Sequence, residues 1–197
     1  MLKRRDFLTT SLAAGALGAT PAFAHKAEPY VIPEEYMPVE VYLQTKLEPG
    51  ELHVDPNSFR LYWTLPNNKA IRYTVGVGKD ELYHAGEFYV GAKREWPSWT
   101  PTPEMIKRDP AAYEKFADGV PGGVNNPLGS MALYLFNANK RDTYLRIHGT
   151  SQPRTIGRAV SNGCARLVND QATQLYHMVP LGTRVVLNPK GPAKENA

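Results

Sequence analysis

The sequence predicts a mainly β domain carrying a few short helices. Apolar residues alternate with polar ones through residues 59–65 and again through 71–77, and Pro66-Asn67-Asn68-Lys69 lies between the two runs. Period-two alternation on both sides of a turn cluster is the pattern of a half-buried hairpin. Further β-type runs fall at residues 87–90, 131–136, 144–148 and 183–187, whereas helical spacing is confined to two stretches.

In chain order, residues 1–24 read as an export signal. Lys3, Arg4 and Arg5 make a charged start, small and apolar residues follow, and Ala22-Phe23-Ala24 ends on an A-x-A cleavage pattern. Adjacent arginines before Asp6-Phe7-Leu8 point to the twin-arginine route, a receptor-read address and not an anchor. Residues 8–24 fall short of the ~20 apolar residues that a membrane span needs and contain Thr, Ser, Gly and Pro, so no stable span is expected. No cysteine follows the signal, which excludes a lipid-modified N-terminus. Its removal leaves 173 residues, enough for one domain with a core, and lowers the formal net charge from +4 to +2. That balance, with no basic run of five or more outside the signal, gives no drive toward nucleic acid.

Residues 25–50 hold Pro29, Pro33, Pro38 and Pro49 with little periodicity and read as a proline-rich extended arm or linker before a domain at 51–188. Phe59, Leu61, Trp63 and Leu65 share one side of the first hairpin strand, and Ile71, Tyr73, Val75 and Val77 one side of the second. Met105, Ile106, Ala112, Tyr113, Phe116 and Ala117 keep helical spacing, but Pro110 splits them into two short helices. Residues 119–129, with four glycines and two prolines, form a long loop of the kind that often carries function. Asn169 is placed to cap a helix that runs to about Met178 and stops before Pro180. Residues 183–187 make a closing strand, and residues 189–197 a flexible tail.

Cys164 is the one cysteine of a chain that opens on an export signal. Oxidising compartments use cysteines in pairs, so a single thiol is inert and buried, paired with another chain, or reactive. His148-Gly149 upstream and Gly163 just before the sulfur favour the reactive reading. A thiol attacks an acyl carbon only as thiolate, and an imidazole can take its proton near neutral pH. With residues 144–148 as a strand, Leu145 and Ile147 face the core, while Tyr144, Arg146 and His148 face the other way. His148 then projects from a strand end into a cleft, and Gly149 lets substrate approach closely.

Ser161-Asn162-Gly163-Cys164 has the character of a tight turn that delivers a nucleophile, with peptide N–H groups available to a developing oxyanion. Arg166, two residues on, shares the face of Cys164 in an extended segment, where it can hold a carboxylate or serve as an ordinary surface arginine. His25, His53, His84 and His177 lack metal-ligand spacing and there is no second cysteine, which points away from a metal centre. Ser98 and Ser161 lack a G-x-S-x-G elbow, which disfavours a serine hydrolase. Trp96-Pro97-Ser98-Trp99 reads either as a cleft wall or as rigid loop packing.

Ile147-His148-Gly149-Thr150 followed by Ser161-Asn162-Gly163-Cys164-Ala165-Arg166 resembles the signature of the L,D-transpeptidase (YkuD-type) catalytic domain: H-G-T, a gap, then S-[HNR]-G-C-x-R. Val54-Asp55-Pro56, Tyr73-Thr74-Val75-Gly76-Val77-Gly78 and Gly86-Glu87-Phe88 are similar to the family too, so the resemblance covers residues 51–188. It implies a sandwich-like β domain without metal or other cofactor, acting on peptidoglycan stem peptides in the periplasm or cell envelope. It further implies a thioester between the cysteine and the carbonyl of the third stem residue, loss of the terminal D-alanine, and resolution by an amine acceptor. That acceptor is a second stem peptide, giving a 3→3 cross-link, or an envelope protein.

Carried onto this chain, the resemblance makes Cys164 the nucleophile and His148 the acid/base. Gly163 forms the oxyanion site, Ser161 supports its geometry, and Gly149, Thr150, Asn162 and Arg166 contact substrate. Asn162 stands where many members have His, so no imidazole role transfers to it, and Glu81-Leu82-Tyr83-His84-Ala85 replaces a usual proline-rich lead-in. The same fold also serves L,D-carboxypeptidases, which use water as acceptor, and isopeptide hydrolases. A non-catalytic envelope-binding protein is the reading from another class, and the joint presence of Cys164, His148 and Arg166 argues against it.

Overall fold

The computed structural model describes residues 30–191, so the expected export signal and most of the expected tail lie outside the described residues. The strands are β1 (Val39–Tyr42), β2 (Leu52–Asp55), β3 (Arg60–Leu65), β4 (Lys69–Thr74), β5 (Val77–Gly78), β6 (Gly86–Glu95), β7 (Met131–Phe136), β8 (Asp142–His148), β9 (Ala159–Ser161), β10 (Ala165–Arg166) and β11 (Arg184–Leu187). The α-helices are α1 (Pro103–Arg108), α2 (Pro110–Tyr113) and α3 (Asn169–Met178). The fold is mainly β with a few short helices, as the alternating runs predict.

Nine strands form one sheet in the order β1-β4-β3-β2-β11-β6-β7-β8-β10, and β5 pairs with β9 beside it. The sheet folds over until its far ends meet. Gly76, just past β4, donates to the Arg166 carbonyl at 3.0 Å and accepts from the Arg166 N–H at 2.8 Å. Leu52, Val54, Leu61 and Tyr73 from one half then pack against Val90, Leu133, Leu135 and Ile147 from the other, with Ala172 and Leu175 of α3 joining the same core. Each fully buried aliphatic side chain of this kind stabilises by about 1.5–3 kcal/mol.

The hairpin forms as predicted. Asn67 and Asn68 take left-handed backbone angles (φ 61° and 56°), a conformation that Asn tolerates, and Leu65 pairs with Lys69. The second hairpin strand ends sooner than its alternation suggests. Val75 and Gly76 leave β4, and Val77–Gly78 pair with β9 because Arg166 claims the Gly76 peptide. β6 runs past residue 90 to Glu95 across a register shift, which broke the visible alternation. β2 had no alternating signature to find, since Leu52, His53 and Val54 are all buried.

Of the proline-rich arm, residues 30–50 are described: a 3-10 turn at Glu34–Tyr36 precedes β1, and part of this stretch docks. β1 adds to the sheet edge on β4, and the Gln171 side chain donates to the Tyr36 carbonyl at 3.0 Å. α1 and α2 are split at Pro110 as expected, with Thr102 and Asp109 capping them. One capping expectation is corrected. Val168 occupies the N-cap of α3, and Asn169 is its first residue, with its carboxamide used elsewhere.

Candidate active site

The site is built on the face shared by β7, β8 and β10. β10 pairs with β8 in parallel, Ala165 opposite Ile147 and Arg166 opposite His148. Side chains two apart in a strand share a face, so Arg146, His148, Cys164 and Arg166 line one side of this pair. Ala132 and Tyr134 of β7 stand opposite His148 and Arg146. Sixteen residues separate Cys164 from His148 in the chain, and the pairing of β10 with β8 puts both on this face.

The turn before β10 is held by Ser161. Its buried hydroxyl donates to the Cys164 carbonyl at 2.6 Å and accepts from the Gly163 N–H at 3.3 Å. Gly163 has φ 117°, and a Cβ there would sit 2.7 Å from the Leu82 carbonyl, so the turn requires glycine twice over. Ser161 and Gly163 therefore shape the turn. The Gly163 N–H is taken by the Ser161 hydroxyl, so it is not free for the oxyanion role expected of Gly163.

Cys164 keeps partial surface access, and its sulfur lies 3.9 Å from the Tyr144 carbonyl. That carbonyl is aimed by a bulge in β8, where four steps of β8 oppose two of β7 between the pairs Tyr134–Arg146 and Phe136–Asp142. Tyr144 sits in the bulge at φ 61° with its side chain 70% exposed. A β-strand residue other than Gly in this conformation stores strain, a common feature beside reacting groups. Burial pushes the Cys164 thiol pKa up, opposed by a backbone hydrogen bond at Arg146 and by the Arg146 and Arg166 charges.

His148 differs from expectation. It is only 3% exposed, with the Gly149 and Leu128 backbone and the Arg166 charge beside its ring. Its Nδ1 contacts the Gly149 carbonyl, and a carbonyl only accepts, so the hydrogen of that contact is on Nδ1; the Leu128 backbone is a second acceptor beside the ring. Burial holds its pKa down to about 3, the Arg166 charge adds to the shift, and the Gly149 carbonyl opposes it. Among the described residues no hydrogen bond joins His148 to Cys164. Burial thus favours the neutral imidazole of His148 and the neutral thiol of Cys164.

Arg166 is half-buried, and its Nε is buried with no hydrogen-bond partner. Arg146, which the sequence reading did not single out, is buried on the same face. It forms two hydrogen bonds to the Asp142 carboxylate at 2.7 and 2.8 Å and stacks 3.9 Å from the Tyr134 ring centre. Its alternation with His148 was the signal that could have found it.

Gly149 and Thr150 belong to a clamp centred on Asn169. The Asn169 Oδ1 accepts from both the Ser130 and Thr150 N–H groups at 3.1 Å, and Gly149 N–H donates to Met131 at 2.9 Å. Gly129 fits inside the clamp only as glycine: its φ is 64°, and a Cβ would fall 2.2 Å from the Asn169 oxygen. Asn162 faces the helical segment, donating to the Tyr113 hydroxyl at 2.8 Å and accepting from the Arg108 guanidinium at 2.7 Å. On the outer side of Thr150, a groove of about 270 Å³ is lined by Tyr30, Val124, Ser151, Pro153 and Asp170. Among the described residues no helix is long and apolar enough to cross a membrane, and no three His, Cys, Asp or Glu side chains are grouped to hold a metal ion.

A family profile described as the YkuD L,D-transpeptidase catalytic domain matches residues 49–187. A putative L,D-transpeptidase of Fuscovulum blasticum, from its ATP synthase subunits region, is 34% identical over 194 residues, covering 93% of this chain and 96% of its own length. The probable L,D-transpeptidase YbiS of Escherichia coli strain K12 is 42% identical over 127 residues, which span 63% of this chain and only 39% of that protein. A crystal structure from Brucella melitensis, described as a probable carnitine operon oxidoreductase, is 49% identical, has a TM-score of 0.54 and covers 77% of this chain and 93% of that one. The oxidoreductase name describes that protein alone. The chain presented here belongs to the L,D-transpeptidase (YkuD-type) catalytic domain family.

Proposed function

We propose that the chain is an exported L,D-transpeptidase of the periplasm or cell envelope that uses Cys164 as nucleophile on peptidoglycan stem peptides. The observation that carries this reading is the parallel pairing of β8 with β10, which sets Cys164, His148 and Arg166 on one face behind the Ser161-Gly163 turn. The Cys164 proton passes to the His148 imidazole as the sulfur bonds to the carbonyl carbon of the third stem residue. The oxyanion draws on the Cys164 N–H, and one such donor is worth ~2.7–4 kcal/mol of activation free energy. The carbon–nitrogen bond to the terminal D-alanine then breaks, and that amine leaves with the proton from His148.

An acceptor amine next attacks the thioester. The sulfur–carbon bond breaks, a new amide forms, and Cys164 recovers a proton. The unpartnered Arg166 Nε supports a role for this side chain in holding a substrate carboxylate. The acceptor is a second stem peptide, giving a cross-link, or an amine of an envelope protein. Water is at ~55 M, so amine transfer demands tight positioning of the acceptor, and positioning can supply effective molarities far above that.

Purified enzyme is incubated with a carbapenem and weighed intact, and one covalent adduct is expected on the wild type and none on Cys164→Ala. An adduct that persists in Cys164→Ala would sink the assignment. With purified tetrapeptide stems, cross-linked dimers are the expected main product, and tripeptide alone in abundant acceptor would mean a carboxypeptidase.

A further inference from the structure

We infer that Asn162 is a positioning residue that latches the helical excursion at residues 103–116 over the nucleophile turn, and that this latch decides how readily water reaches the Cys164 thioester. The inference rests on the acyl-transfer reading of the site and deepens it by giving a place to the choice between amine and water.

Three observations support it. Residues 96–130 leave the sheet after β6 and return at β7, and within them α1, α2 and the 3-10 turn Glu114–Phe116 bury no side chain. Their own hydrogen bonds are internal: Thr102 and Asp109 cap their helices, and the backbone bonds stay between residues 102 and 119. Among the described residues, the hydrogen bonds that join residues 103–116 to the rest of the domain are the two made by the Asn162 carboxamide, to Arg108 at 2.7 Å and Tyr113 at 2.8 Å.

Asn162 is two residues before Cys164, so these bonds tie the excursion directly to the turn that presents the sulfur. Aromatic contacts hold the excursion together. The Trp99 ring lies 6.4 Å from Tyr113 and 5.9 Å from Phe116, but Trp99 belongs to the same excursion, whose base is pinned by the Trp99–Val120 bridge. Segments with few buried apolar contacts open locally at low free energy. The excursion is therefore a cover with a fixed base and one polar latch at its tip. A carboxamide suits the latch because it donates to the Tyr113 oxygen while it accepts from the Arg108 guanidinium. Breaking both bonds together lets a stem peptide or an acceptor amine enter, and remaking them excludes water from the thioester.

One net hydrogen bond changes an opening equilibrium by roughly two- to twelvefold, so loss of both should raise the open fraction by about tenfold or more. The test uses the full mature chain as wild type, Asn162→Ala and Tyr113→Phe. The first arm follows N-ethylmaleimide alkylation of Cys164 by intact mass, which needs only a folded thiol. The second follows hydrolytic loss of the carbapenem adduct.

Asn162→Ala should speed both processes about tenfold, and Tyr113→Phe should speed both by a smaller factor, with melting temperatures within a few degrees of the wild type. Wild-type rates in both arms for Asn162→Ala and Tyr113→Phe would overturn the latch. Failure of the wild type to form the adduct would overturn the acyl-transfer reading, while the alkylation arm still judges the latch by itself.

Discussion

Asn169→Ala removes the oxygen that two backbone N–H groups share, those of Ser130 and Thr150, each at 3.1 Å. Both lie in close-packed backbone, where Gly129 and Gly149 approach the same oxygen too nearly to allow a Cβ. Leaving a buried donor unmatched costs about 1–3 kcal/mol. Water entering from the groove beside Thr150 recovers part of that, so the two donors together should cost about 2–4 kcal/mol. For a chain of this length each kcal/mol moves the melting temperature by roughly 2–4 °C, which gives a drop on the order of 10 °C.

Asn169→Asp separates the hydrogen bonds from all else. A carboxylate keeps the acceptor, the amide nitrogen it replaces makes no hydrogen bond among the described residues, and a negative charge at a helix N-terminus is favourable by about 0.3–1 kcal/mol. Asn169→Asp should therefore melt within a few degrees of the wild type. Carbapenem acylation of Cys164, slowed in Asn169→Ala because the clamp also fixes the segment after His148, should recover with it. The measurements are a thermal melt followed by circular dichroism and an acylation time course by intact mass. An Asn169→Ala melt within about 2 °C of the wild type, or an Asn169→Asp melt as low as that of Asn169→Ala, would refute the account.

His148→Gln should cut turnover by the ~10²–10⁴-fold typical of losing a general acid/base, and wild-type turnover would move that role to another residue. The same variant tests the burial of His148. Its folded pKa of about 3 lies below the ordinary 6.5, so its contribution to stability is fully present above pH 6.5 and is lost as the pH falls toward 3. Wild-type urea midpoints should fall more steeply than those of His148→Gln across that window, and parallel profiles would contradict a buried neutral imidazole. Gly163→Ala should abolish adduct formation at Cys164, because φ 117° and the 2.7 Å approach to the Leu82 carbonyl both reject a methyl group. An active Gly163→Ala would show that the turn can relax.

The segments that carry Cys164 and His148 were legible in the sequence because their signals are local. The lone cysteine follows a glycine, Ser161 is close enough to brace that turn, and His148 ends an alternating run. The hairpin was legible for the same reason, since two asparagines beside a proline carry their own turn geometry. β2 and the second half of β6 were not, because full burial and a register shift erase the period-two pattern. Asn169 and Asn162 show the limit most clearly. Asn169 has the chemistry of a cap and sits where a cap is wanted, yet its acceptor serves Ser130 and Thr150, 39 and 19 residues away.

The sequence by itself determined the β class, the split helices and the segments that carry Cys164 and His148, since each depends on neighbours within a few residues. Tertiary structure alone decided the protonation of those groups and the partners that hold them. Burial holds the His148 pKa low, a bulge in β8 turns the Tyr144 carbonyl toward the sulfur, and Asn162 meets Arg108 and Tyr113 from 54 and 49 residues away. The physical reason is range: propensity and periodicity act along the chain, whereas desolvation and hydrogen-bond choice depend on what the folded sheet brings alongside.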